Sequence, residues 1–119
     1  METVHYKIYQ LDRSTPFGQE YVFTNSQTWK ENNKNVNLDD YEFVYESTIE
    51  VNDYERTDIV LENIYSKLNF DKPDDYHCHS LSVSDIIAIV NENETVFYFV
   101  DSIGYKIVAR LTMYKFKED

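Results

Sequence analysis

The residues best suited to chemistry lie close together in the second half of the chain, where His77-Cys78-His79 follows Asp74 and Asp75. A metal site needs three or four convergent ligands. Neighbouring residues of an extended segment point to opposite sides, so this triplet cannot close on one ion by itself, and His5 would have to join it. A Cys–His nucleophilic pair fails for a similar reason: neither histidine stands at a spacing known to place an imidazole on Cys78. Downstream, Ser80, Ser82, Ser84 and Asp85 form a polar stretch ahead of an apolar run. It reads either as a binding loop or a phosphate site or, preferably, as Ser80 or Ser82 capping a turn or short helix and Ser84 or Asp85 capping the strand entry. The 22 carboxylates allow acid–base pairs to be drawn almost anywhere, so none is informative. The 2 glycines, Gly18 and Gly104, are isolated, and no P-loop, dinucleotide-binding turn or nucleophile elbow can be written with them. The expectation is a non-catalytic protein without cofactor or metal. The enzymatic alternative is a metal-assisted hydrolase using His77, His79 and a nearby aspartate.

A chain of 119 residues is one domain by length, large enough to bury a core. Its single cysteine excludes an internal disulfide and fits a reducing compartment. No apolar run approaches the ~20 residues of a membrane helix, and no signal-like segment opens the chain. A cytoplasmic protein without membrane contact is the expectation. The net charge of −11 argues against direct binding to nucleic acid, because a phosphate backbone must be met by cations. That charge is uneven. Residues 36–101 carry 16 acids and 3 bases, whereas residues 1–35 carry 4 of each and residues 102–119 carry 2 acids and 4 bases. The acids run together at Asp39-Asp40-Tyr41-Glu42, Asp53-Tyr54-Glu55 and residues 71–76. They are either a solvated face or a surface for a basic partner, and the interleaved tyrosines favour the second reading because tyrosine is enriched at interfaces.

The elements that must position these groups follow from periodicity. Val4 to Leu11 alternates apolar and polar and predicts a strand. Asp12 to Gly18 predicts a loop, and Tyr21-Val22-Phe23 a short extended piece. Asn25 or Ser26 can cap a short helix over about 26–32, after which Asn32, Asn33, Asn35 and Asn37 break regular structure. Tyr41, Phe43 and Tyr45, then Ile49 and Val51, predict the second strand. Thr57 is the expected cap of a helix over about 57–68, with Val60, Ile64 and Leu68 at i, i+4 spacing. Ile86 to Val90 and Thr95 to Val100, joined by Asn91-Glu92-Asn93-Glu94, form a hairpin. Tyr105 to Leu111 is a third strand or a short helix, and the tail from Thr112 to Asp119 extends the last strand. Trp29 and Phe17 are expected in the core, with interface anchors as the alternative. The sum is an α+β domain spanning 1–119: an antiparallel sheet of about four or five strands with two helices.

Two stretches also resemble a known family. His79-Ser80-Leu81-Ser82-Val83-Ser84-Asp85, followed by a strand and then by Phe97-Tyr98-Phe99-Val100-Asp101-Ser102-Ile103-Gly104-Tyr105, is similar to the core signature of the YodL-like domain. Tyr6 to Leu11, Tyr41 to Glu46 and Leu68 to Asp75 fit the same order, while residues 12–37 match weakly. The resemblance implies a small bacterial domain, common in Firmicutes and in conjugative elements, phages and plasmids, often beside helicase or methyltransferase modules. It supplies no catalytic residues. The motif residues His79, Ser80, Ser82, Ser84, Asp85, Asp101 and Gly104 are therefore structural by default, Gly104 through a positive φ at a turn.

Charge, the absence of a catalytic constellation and this resemblance together lead to a functional expectation. It is a small acidic inhibitor from a mobile element that occupies the basic nucleic-acid-binding surface of a defence protein, such as a CRISPR nuclease or a restriction enzyme. The expected contact residues are Asp39, Asp40, Tyr41, Glu42, Tyr45, Glu46, Glu50, Asp53, Tyr54, Glu55, Asp74, Asp75 and Tyr76, with the tyrosines as anchors. The alternative is a non-catalytic interaction module for a cytoskeletal or other cellular partner.

Overall fold

The computed structural model describes residues 1–112. Five strands, β1 (Glu2–Leu11), β2 (Tyr41–Val51), β3 (Ile86–Val90), β4 (Glu94–Val100) and β5 (Tyr105–Thr112), form one sheet in the order β2-β1-β3-β4-β5. Every neighbouring pair is antiparallel. Three helices accompany it, α1 (Pro16–Tyr21), α2 (Ser26–Glu31) and α3 (Thr57–Phe70), and a 3-10 turn, Leu38–Asp40, leads into β2. The fold is α+β, as the sequence predicts. Tyr105–Thr112 is a strand rather than a helix, and the expected extension through Asp119 lies outside the described residues beyond Thr112.

The sheet is covered on both faces. On one, α3 lays Val60, Leu61, Ile64 and Leu68 against Tyr6, Ile8, Ile87 and Ile89. These helix positions recur every three to four residues and so share one stripe. Thr57 is the first helical residue rather than the cap; Arg56 takes the cap position without a side-chain bond, and its guanidinium reaches Asp58 at 2.8 Å. On the other face, α1 and α2 bring Tyr21 and Trp29 onto Phe97 and Phe99. Trp29 is buried and Phe17 packs against the same cluster, as expected of core residues.

The helix α1 replaces the predicted loop and extended piece around residues 16–21. Thr15 Oγ1 accepts from Gly18 N at 3.0 Å, and Pro16 stands in the first turn, where its missing N–H costs nothing. At Gly18 an added Cβ would fall 1.9 Å from the Asp12 carbonyl oxygen, so only glycine lets the chain close here.

Tyr41, Phe43 and Tyr45 do not share a face. Tyr45 pairs with Ile8, but Phe43 pairs with Tyr9, which makes Val44 the extra residue of a β-bulge. The inserted residue reverses the alternation. Tyr41 and Phe43 therefore turn toward the α1–α2 side, while Tyr45 and Val51 turn toward α3.

Candidate functional site

The motif residues form a joint between the sheet and the α1–α2 layer. Asp85 precedes β3 and is 1% exposed. Its Oδ2 accepts from Ser82 N at 2.8 Å and from Gln10 Nε2 at 3.2 Å, while Asp85 N donates to the Ser82 carbonyl. This reciprocal pair closes the turn that the serine-rich stretch predicts. Ser84 holds a left-handed backbone with φ 85°. Its carbonyl accepts from Tyr41 Oη at 2.6 Å, and its Oγ accepts from Phe23 N at 3.1 Å. Ser84 thereby ties the segment after α1 to the end of the sheet. Asp101 does the same for α2, accepting from Ser26 N at 3.0 Å and from Ser26 Oγ at 2.5 Å. Gly104 has φ 71° and its carbonyl accepts from Asp101 N, which closes the β4–β5 turn. His79 is exposed and contributes its carbonyl, to Gln10 Nε2 and to Tyr76 Oη. Ser80 is exposed and accepts from Lys72.

The two motif aspartates titrate oppositely. Burial pushes Asp85 up to about 7, and the bonds from Ser82 and Gln10 and the charge of Arg13 offset only part of that. Asp85 Oδ1 makes no hydrogen bond. At Asp101 burial also pushes up, but the Ser26 and Ser102 bonds and Lys106 outweigh it and hold the carboxyl below its usual range.

In the His77-Cys78-His79 triplet both histidines are exposed. Among the described residues, no three His, Cys, Asp or Glu side chains converge as metal ligands. Cys78 is half-buried and its thiol donates to the Val44 carbonyl at 3.1 Å. Burial raises the thiol, away from the thiolate a nucleophile requires.

The acidic runs are spread over surface and core. Strand β2 is an edge of the sheet, and Glu42, Glu46 and Glu50 along it are all exposed. Asp39 and Asp53 continue this line beyond the two ends of the strand, with Asp40 and Glu55 half-buried beside them. The Val44 bulge divides the line. Glu42 pairs with Gln10 on the α3 side, whereas Glu46 and Glu50 pair with Lys7 and Thr3 on the opposite side. Asp75 joins the edge from the loop after α3, accepting from Tyr45 Oη at 2.9 Å, and Asp74 beside it is exposed. Three of the four expected tyrosine anchors are core residues instead: Tyr41, Tyr45 and Tyr76 are 8%, 8% and 5% exposed. Each hydroxyl has a local acceptor, so they are spent on packing. Tyr54 alone is displayed, 99% exposed on a left-handed turn residue with φ 59°. Sequence reasoning missed Gln10, the buried partner of Asp85; no local signal marks it, since its position in β1 is otherwise that of an ordinary polar residue.

The family model of the YodL-like domain matches residues 5–110, nearly the whole chain. A small α+β domain carrying this motif joint is what the fold defines, and the chain belongs to the YodL-like domain family. No curated protein and no solved structure is significantly similar to it. No helix among the described residues is long and apolar enough to cross a membrane.

Proposed function

We propose that this protein is a non-catalytic inhibitor of anti-CRISPR or antirestriction type, which sets its acidic β2 edge against the basic nucleic-acid-binding surface of a defence protein. The observation that carries the reading is the exposed carboxylates of the β2 edge, Glu42 on one side of the sheet and Glu46 and Glu50 on the other, with Asp39 and Asp53 exposed just beyond the strand's ends. In an extended strand, charges three or four residues apart stand ~10–14 Å from one another. That is sparser than duplex phosphate, so the edge acts by steering and charge complementarity rather than as a replica of DNA. Tyr54, at the end of this line and fully exposed, is free to enter a partner's pocket. The test is capture of CRISPR nucleases and restriction enzymes from a defined panel. Binding at low salt that weakens as salt rises, and that the triple variant Glu42→Gln, Glu46→Gln, Glu50→Gln loses, is the expected result. No binding across the panel at low salt refutes it.

A second reading rests on the opposite edge. Ile103, Ile107 and Leu111, on and before β5, are 91%, 50% and 57% exposed. An interaction module for a cytoskeletal or other cellular partner would bind through this apolar side and be nearly indifferent to salt. Salt titration of any complex separates the two.

A further inference from the structure

A cavity of about 490 Å³ opens between α2 and the β4–β5 end of the sheet, on the face away from α3. Its floor is apolar, made by Trp29, Phe99 and Val36. Its rim carries Lys30, Lys34 and Lys106, all exposed. In a chain with twice as many acids as bases this convergence is unusual. Among the described residues Lys30 and Lys34 form no ion pair, and Lys106 has only Asp101 at 3.7 Å. Among the described residues no carboxylate lines the cavity, and both oxygens of Asp101, beside Lys106, are already engaged by Ser26.

The cavity is built by the local sequence. The chain leaves α2 through a left-handed Asn33 (φ 56°), with Lys34 N donating to Trp29 O at 2.8 Å and Asn33 N to Lys30 O at 3.1 Å. These are the two bonds of a Schellman ending, which fixes the Lys30–Lys34 segment over the floor. Trp29 is held from beneath by an edge contact with Phe99 at 5.5 Å and by its indole N–H, which donates to Thr24. The floor is therefore held by contacts within the protein itself.

We propose that this cavity is a nucleotide site. Three lysines suit a ligand with two or more negative charges. The volume lies in the range of small-molecule pockets and far exceeds a bare anion. The apolar floor asks for a flat apolar body, and Asn33 and Asn35 on the wall offer amides to the polar edge of a base. A nucleoside diphosphate meets all three demands: its phosphates lie among the lysines and its base over Val36 and the Trp29 edge. No covalent step is implied. The site faces away from the β2 edge and does not depend on the inhibitor reading.

The test is calorimetric titration with the four ribonucleoside diphosphates, alongside pyrophosphate and the free nucleosides. Trp29, the sole tryptophan, reports occupancy by fluorescence. At least one diphosphate should bind saturably and shift that fluorescence. It should bind about tenfold or more tighter than pyrophosphate, and the double variant Lys30→Glu, Lys34→Glu should weaken it by about tenfold or more, the scale of one charge-assisted hydrogen bond. Both lysines are exposed, so the variant's fold is checked by circular dichroism. If none of the four binds at millimolar concentration, or pyrophosphate binds as tightly as the best diphosphate, or the double variant binds unchanged, the proposal fails.

Discussion

Asp85 makes the stability of this domain fall as pH rises, over a window set by its burial. The carboxyl moves from 3.8 to about 7 on folding, so between those values the native chain holds a proton that the unfolded chain has released. A group whose folded value is raised contributes most below its unfolded value. That contribution declines as pH climbs toward the folded value and is gone above it. Between pH 4.5 and pH 8 the loss is about 3 kcal/mol, a large fraction of the ~5–15 kcal/mol that holds a domain of this size. The substitution Asp85→Asn isolates the effect. Its amide copies the protonated acid, with oxygen free to accept from Ser82 N and Gln10 Nε2 as Oδ2 does and nitrogen at the position of the unbonded Oδ1. Urea unfolding followed by Trp29 fluorescence at both pH values gives the comparison. The amide N–H groups at the Oδ1 position meet no acceptor and set a constant offset, against which the variant should gain about 3 kcal/mol on the parent between pH 4.5 and pH 8. Equal pH dependence in the two proteins refutes the reasoning.

Other perturbations have definite signs. Gly18→Ala places a methyl group against the Asp12 carbonyl, so it should cost more than about 2 kcal/mol and raise proteolysis within α1. Gly104→Ala meets no atom within 4 Å and pays only for its φ of 71°, so a loss of about 1–2 kcal/mol is expected in thermal unfolding. Tyr41→Phe strips the Ser84 carbonyl of its buried donor and should cost about 1–3 kcal/mol in denaturant titrations.

Some of this was legible in the chain because it is local. The stripe of Val60, Ile64 and Leu68 marks α3, and the alternation and turn residues between Ile86 and Val100 mark the β3–β4 hairpin. The Thr15-Pro16 start of α1 was also written in the sequence, as a cap followed by a first-turn proline, but the tripeptide Tyr21-Val22-Phe23 reads as strand when its neighbours are ignored. The bulge at Val44 belongs to another class. It is a property of how β2 meets β1, and the even spacing of Tyr41, Phe43 and Tyr45 gives no warning of it. The same limit explains the site. Acid runs can be counted from residues, but only the strand order shows that Glu42, Glu46 and Glu50 line an edge while their tyrosine neighbours are buried.

The strand order also bears on how the domain reaches its folded state. Strand β1 lies inside the sheet, with residues 5–9 paired to residues 86–90 on one side. Most of the chain must therefore be made before the first strand acquires its inner neighbour. Closing so long a loop ahead of its reward places folding toward the slow end for domains of this size, in milliseconds to seconds. During synthesis, the inner edge of β1, residues 5–9, stays unpaired until β3 leaves the ribosome, which makes that interval the one in which a chaperone has most to protect.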